Sequence, residues 1–250
     1  MQNNSKLPWI TPSWPAPHNV KALTTLRAGG KSKAPYDSFN LAQHVQDDPI
    51  TVQANREYLK KTAHCPSDPL WLSQVHGTRV IDLADYSSPY PIVEADASIA
   101  LQPNLVCAIL TADCLPVLLC NKAGSCVAAI HAGWRGLSAG IIESTVEKLP
   151  CDPASLMAWL GPAIGPKVFE VGEDVLLAFN HFPKDAFTPT GRGSWLADIY
   201  LLARARLNKI GVTDVFGGDF CTYTESERFY SFRRSKITGR MCTLIWLTTP

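Results

Sequence analysis

Residues 111–136 read TADCLPVLLCNKAGSCVAAIHAGWRG and carry a thiol, Cys114, and an imidazole, His131, in an otherwise apolar stretch. Asn121-Lys122-Ala123-Gly124 reads as a hairpin loop, with Gly124 free to take positive φ. Such a loop sets Cys120 opposite Ser125 and, counting outward, Cys114 opposite His131. Directly opposed residues on one face of an antiparallel pair have Cβ atoms roughly 4.5–5.5 Å apart, close enough to touch or to share a metal ion. A one-residue slip would send the two side chains to opposite faces. His76, in LWLSQVHGTRVIDL, ends another apolar run and is also followed by glycine. His76, Cys114 and His131 together make a set that can hold Zn²⁺ and leave its fourth position open for water or substrate. The same atoms also suit a Cys114 thiolate activated by His131, as in cysteine hydrolases. Spacing does not separate these two uses. The plainer reading of Cys114 is a buried core thiol. A structural metal would need a fourth protein ligand, Cys107 for example, which alternation puts on the face opposite Cys114 unless the chain bends at Asp113.

The remaining histidines among the six are His18, His44, His64 and His181, which fall in polar loops or helix ends and read as solvated. Arginines recur beside turns: Arg27, Arg135, Arg233, Arg234 and Arg240. Each alone reads as surface charge, but a guanidinium is also the group that binds phosphate or carboxylate bidentately. GPAIGP can bring backbone close to a ligand, although it lacks P-loop spacing.

These residues need a frame to position them. A chain of 250 residues buries roughly three quarters of its unfolded surface, so the core is not limiting. With 23 basic and 22 acidic residues and no run of like charge, the partner is expected to be a small molecule, not nucleic acid or a membrane. Prolines and tryptophans stand where a signal peptide would be apolar, so a cytoplasmic location and reduced cysteines are expected. No C-x-x-C occurs among the eight cysteines. Residues 51–61 follow an Asp-Pro start and place Val52, Asn55, Tyr58 and Leu59 at helical spacing. GLSAGIIESTVEKL, residues 173–182 and WLADIYLLARARLNKIG also read as helices. VKALTT, NLVCAILTA, SLMAWL, VTDVFGGDFCTYT and GRMCTLIWL read as strands. Strands and helices intermix without a regular βαβ rhythm, which favours a single α+β domain over residues 1–250 with mixed sheets.

In order, TTLRAGG, SFNLAQHV, WLSQVHG, TADCLPVL, AAIHAGWRG, GPAIGPKVFEVG, FGGDFCTYTE and SFRRSKITGRM resemble the YfiH group. This is the purine nucleoside phosphorylase family formerly called laccase-domain or polyphenol oxidase proteins. The resemblance runs from Val20 to Leu247. It implies a layered α/β/β/α fold, cysteine-hydrolase-like in outline and shared with the catalytic domain of cytotoxic necrotizing factor. It also implies a zinc ion on His76, Cys114 and His131, with those three residues catalytic. The activities implied are phosphorolysis of adenosine, inosine and methylthioadenosine to free base and ribose 1-phosphate, with adenosine deamination. The partners are then a nucleoside and phosphate, and the protein is expected to be a monomer. Arg27, Asn40 and Arg234 lie inside matched motifs and are expected to bind substrate, with Asp113 supporting a ligating group. Leu26 is an insertion relative to the commoner Thr-Thr-Arg-x-Gly-Gly. Bacterial members of the group are also described as peptidoglycan editing factors, which keeps open a Cys-His amide hydrolase acting on a serine-containing precursor. A non-catalytic metal-binding module is the third reading. Six histidines are too few for the copper centres of a multicopper oxidase, so zinc is expected ahead of copper.

Overall fold

The computed structural model describes residues 8–89, 91–181 and 183–249. In chain order the strands begin with β1 (Trp9–Ile10), β2 (Val20–Thr25), β3 (Leu72–Ser73), β4 (Val80–Asp82), β5 (Val93–Glu94), β6 (Ala97–Ala100), β7 (Val106–Thr111) and β8 (Leu115–Asn121). They continue with β9 (Val127–Ala132), β10 (Leu156–Leu160), β11 (Glu170–Val171), β12 (Phe187–Pro189), β13 (Trp195–Ala197), β14 (Asp214–Gly217) and β15 (Met241–Leu247). The α-helices are α1 (Pro49–Thr62), α2 (Trp134–Ala139), α3 (Ile141–Lys148), α4 (Glu173–Ala178) and α5 (Ile199–Lys209).

Two sheets form the centre, one ordered β1-β2-β15-β7 and the other β14-β10-β8-β9-β6-β4. The second is mixed, because β10 runs parallel to β14, and β6 to β4, while the other pairs are antiparallel. Strand alternation sorts the side chains into layers. Leu118, Cys120, Val127 and Ala129 meet Cys107, Ile109 and Ile245 between the sheets. On the opposite face Leu115, Val117, Leu119 and Ile130 pack under Ile142, Val146, Leu202 and Leu207 of α3 and α5. On the far side of the first sheet Leu23, Ala108, Leu110 and Leu244 cover Leu59 of α1. The order is therefore α/β/β/α. Central strands buried on both faces explain why their sequences read as nearly continuous apolar runs.

Helix boundaries follow their caps. Asp48 accepts the backbone N–H groups of Ile50 and Thr51, and Pro49 opens α1. Val52, Asn55 and Leu59 are buried as expected, but Tyr58 lies 42% exposed, turned one residue's rotation away from that stripe. The helix expected from Trp195 starts only at Ile199, because the Asp198 carboxylate accepts Leu201 N–H and caps it there; Trp195–Ala197 is a strand. The helix after His131 is broken by Gly140, at φ 101°, into α2 and α3. Residues 173–182 hold only the short α4, and Phe182 lies outside the described residues.

The hairpin differs from expectation by two residues. Cys120 pairs with Val127, and His131 pairs with Pro116 instead of Cys114. Asn121 stays in the strand because its side-chain oxygen accepts the Ser125 and Cys126 N–H groups, which moves the loop on to residues 122–125. A displacement of two residues keeps the face. Cys114 thus lies diagonal to His131, on the same side. It sits just before β8, where the chain crosses from one sheet to the other through Asp113 at φ 88°. Thr222 Oγ1 and Arg233 N–H donate to the Asp113 carboxylate at 2.6 Å each and hold that unusual backbone in place.

Candidate metal centre

Asp96 organises the site. It immediately precedes β6, and the pairing of Ala97 with Ile130 brings it beside His131 at the end of β9. His131 donates through Nδ1 to Asp96 Oδ1 at 2.8 Å and through its backbone N–H to Asp96 O at 2.7 Å. That bond turns the other ring nitrogen, Nε2, away from Asp96. The same carboxylate accepts the backbone N–H groups of Val75, His76 and Gly77 at 3.3, 2.9 and 2.7 Å. His76 is therefore fixed in a turn at φ 63°, and its Nε2 reaches 3.8 Å from Cys114 Sγ. The two imidazoles meet edge to face with centroids 4.7 Å apart.

One ligand atom from each of His76, Cys114 and His131 lies within 4.8 Å of the others. Three points that close share a centre no more than about 2.8 Å from each, against zinc bonds of roughly 2.0–2.3 Å. Small side-chain adjustments therefore bring all three to bonding distance. A thiolate and two imidazoles are donors that both zinc and copper accept. Among the described residues this group has three members. Cys107 is not one of them and lies fully buried between the sheets. Gly133 makes the approach possible, since a Cβ there would stand 2.8 Å from His76 Cδ2 and 3.1 Å from Cys114 Sγ.

Burial alone would raise the Cys114 thiol, but the charge and hydrogen bonding of His131, and then His76, outweigh it and bring the thiol down to about 6. Burial likewise would lower His131, yet the Cys114 thiolate and Asp96 push it up to about 9. Without metal, the two groups form a thiolate–imidazolium pair between those values. Burial instead raises Cys107 and Cys120 to about 12. In metal-stripped protein, alkylation of Cys114 by iodoacetamide should thus rise through pH ~6 and level off by neutrality, with Cys107 and Cys120 protected. A midpoint near the ordinary thiol value of ~8.5 would mean that the pair is uncharged.

The cluster opens into a cleft of about 240 Å³ lined by His76, Asp113, Cys114, Trp134, Arg135, Ile164, Phe169, Phe232 and Arg233, among others. A larger groove, about 600 Å³, runs along β1 and β2 and holds none of the three ligand residues. The Arg135 guanidinium lies 4.2 Å over the Trp134 ring and makes no hydrogen bond or ion pair with the described residues. Arg233 spends one Nη on Glu170 O at 2.7 Å and lies 5.5 Å from the Phe169 ring centre.

The sequence model of the family described as multi-copper polyphenol oxidoreductase laccase matches residues 21–248. A protein of Escherichia coli named purine nucleoside phosphorylase YfiH is 52% identical over 241 residues, 95% of this chain and 98% of its own. Purine nucleoside phosphorylase PA4543 of Pseudomonas aeruginosa is 50% identical over 243 residues, 96% of this chain and 98% of its own. The crystal structure of Neisseria meningitidis protein NMB0706 superposes with a TM-score of 0.93 at 45% identity, covering 97% of this chain and all of that one. The chain belongs to the YfiH family.

The YfiH family's laccase description calls for copper centres, but among the described residues His18, His44, His64 and His181 join no metal-sized group. Of the four residues expected to bind substrate or to support a ligating group, Arg27, Asn40, Arg234 and Asp113, only Asp113 reaches the cleft wall. Its carboxylate serves Thr222 and Arg233 and touches no ligand, whereas Asp96 supports His131. Arg27, Asn40 and Arg234 do not line the cleft. Arg27 pairs with Asp37 at 2.9 Å and donates to Ser226 O. Asn40 is fully buried and bonds Ala42, Asp47 and the Arg240 N–H. Arg234 donates to the carbonyls of Thr222, Tyr223 and Phe229. In VEADASIA the one sequence signal for Asp96 is an acid set directly before an apolar run. No helix of the described residues is long and apolar enough to cross a membrane.

Proposed function

We propose that the chain is a purine nucleoside phosphorylase that cleaves adenosine, inosine and methylthioadenosine to free base and ribose 1-phosphate, and that also deaminates adenosine. What carries the phosphorylase reading is the 52% identity, over almost the whole of both chains, to a protein named purine nucleoside phosphorylase; the particular nucleosides and the deamination rest on the family resemblance. The geometry supports it. Trp134, Phe169, Phe232 and Ile164 give the cleft apolar and aromatic walls suited to a purine face and to excluding water. Arg135 has its guanidinium free of hydrogen bonds to the described residues, and Arg233 faces the same cleft, so the two provide the cations that a phosphate needs. His76, Cys114 and His131 would hold zinc, which when bound supplies a Lewis acid for a purine or leaving-group atom. Asp96 keeps the His131 proton on Nδ1 and so keeps Nε2 available.

A second reading rests on Cys114, His131 and Asp96, which stand in the relation of nucleophile, base and orienting acid. It makes the protein an amide hydrolase acting on a seryl cell-wall precursor. Assays of nucleosides and of a seryl muramyl nucleotide, each with and without phosphate, separate the two. Base release should require phosphate, and Arg135→Gln should raise the phosphate KM about tenfold or more while leaving the nucleoside KM within about twofold. Base release that ignores phosphate would reject phosphorolysis. Seryl release lost with Cys114 would favour the hydrolase.

A further inference from the structure

Two cysteines outside the site stand in contact. Cys126 Sγ and Cys151 Sγ are 3.8 Å apart, and the described residues hold no second such pair among the free cysteines. Cys126 precedes β9 and is 1% exposed, packed under the helices on the outer face of the larger sheet. Cys151 lies in the loop after α3, half-buried, with a surface that a small molecule can reach. Cys120 is near in sequence but faces the space between the sheets, so it cannot compete for Cys126.

We propose that Cys126 and Cys151 are a redox modification site, oxidised to a reversible disulfide by exchange with a small soluble disulfide of the glutathione class. The thiolate of Cys151 attacks one sulfur of that reagent, forming a mixed disulfide and releasing one small thiol. Cys126 then loses its proton and attacks the Cys151 sulfur, forming the protein disulfide and expelling the second small thiol. The protein pair gives up two electrons and two protons, and the reagent leaves as two thiols. The sulfurs must close from 3.8 Å to a bond of about 2.05 Å. Burial, and then the neighbouring Cys151, hold the Cys126 thiol well above its ordinary value, so the second step is the slow one and quickens with pH. The link joins residues 25 apart in sequence. It closes the segment that carries His131, Trp134 and Arg135, so oxidation staples the chain around the site.

The test incubates the whole protein with oxidised glutathione, blocks free thiols and maps peptides without reduction. The expected result is a Cys126–Cys151 cross-linked peptide about 2 Da lighter than its two parts, restored by dithiothreitol. The oxidised protein should also melt several degrees higher than the reduced one. Cys151→Ser, at a half-buried position, should keep its fold and lose both the cross-link and the shift in melting. A product that stops at glutathione on Cys151, a Cys126 cross-linked to any other cysteine, or two intact thiols would overturn the proposal.

Discussion

Cys114→Ser is expected to lose its metal and its nucleoside cleavage together while remaining folded. Cys114 is one of three donor atoms that stand within 4.8 Å of one another, so its removal leaves two imidazoles with too few ligands for a firm site. Loss of a hydrogen-bonding partner behind a ligand already costs about 10–100-fold in affinity, and loss of a ligand should cost at least the upper end of that range. The fold should notice little. The residue is half-buried and sits at a sheet crossing, so with both proteins metal-free the stability change should stay within about 1 kcal/mol. Metal content after dialysis, the melting midpoint and the nucleoside assay read the three effects separately. Full activity in the variant would remove Cys114 from the site as ligand and as nucleophile. Loss of the folded state would return it to the hydrophobic core.

Asp96→Asn should damage both metal binding and the fold, which sets it apart from Cys114→Ser. The Asp96 carboxylate is fully buried and serves four donors: the His131 ring and the N–H groups of Val75, His76 and Gly77. A neutral amide turns one N–H₂ toward those donors and removes the buried charge opposite His131, a loss on the order of 3 kcal/mol. Metal affinity should fall about 10–100-fold because both histidines lose their orientation. A pH signature follows. Burial pushes the Asp96 acid up, but the His131 hydrogen bond, the Gly77 N–H, the His131 charge and the His76 N–H together leave it below its ordinary value. The stabilisation from a depressed carboxylate is fully present above the unfolded value of ~3.9 and is lost as pH falls through the lower folded value. Urea unfolding of metal-free protein should therefore show a steeper acid loss in the parent than in Asp96→Asn. Equal acid limbs would remove Asp96 as the buried anion of the site.

The donor types and their common face were legible from residues 111–136 alone, and the reason is the two-residue period of a strand. The hairpin register came out two residues from expectation, with His131 opposite Pro116, yet a slip of two leaves every side chain on its side of the sheet. Ordered motifs from Val20 to Leu247 likewise carried the family and with it the layered fold, because the match runs through nearly the whole chain. Partnership across the fold was not legible. Asp113 adjoins Cys114 in sequence, but Asp96 is the acid that supports the site, because the β6–β9 pairing brings a residue 35 positions away beside His131. The arginines make the same point most sharply. Arg233 faces the cleft, while its neighbour Arg234 spends its guanidinium on three backbone carbonyls. A sequence specifies the charge of each side chain. Whether that charge is consumed by the chain's own carbonyls or left for a ligand depends on which backbone groups folding leaves without partners beside it.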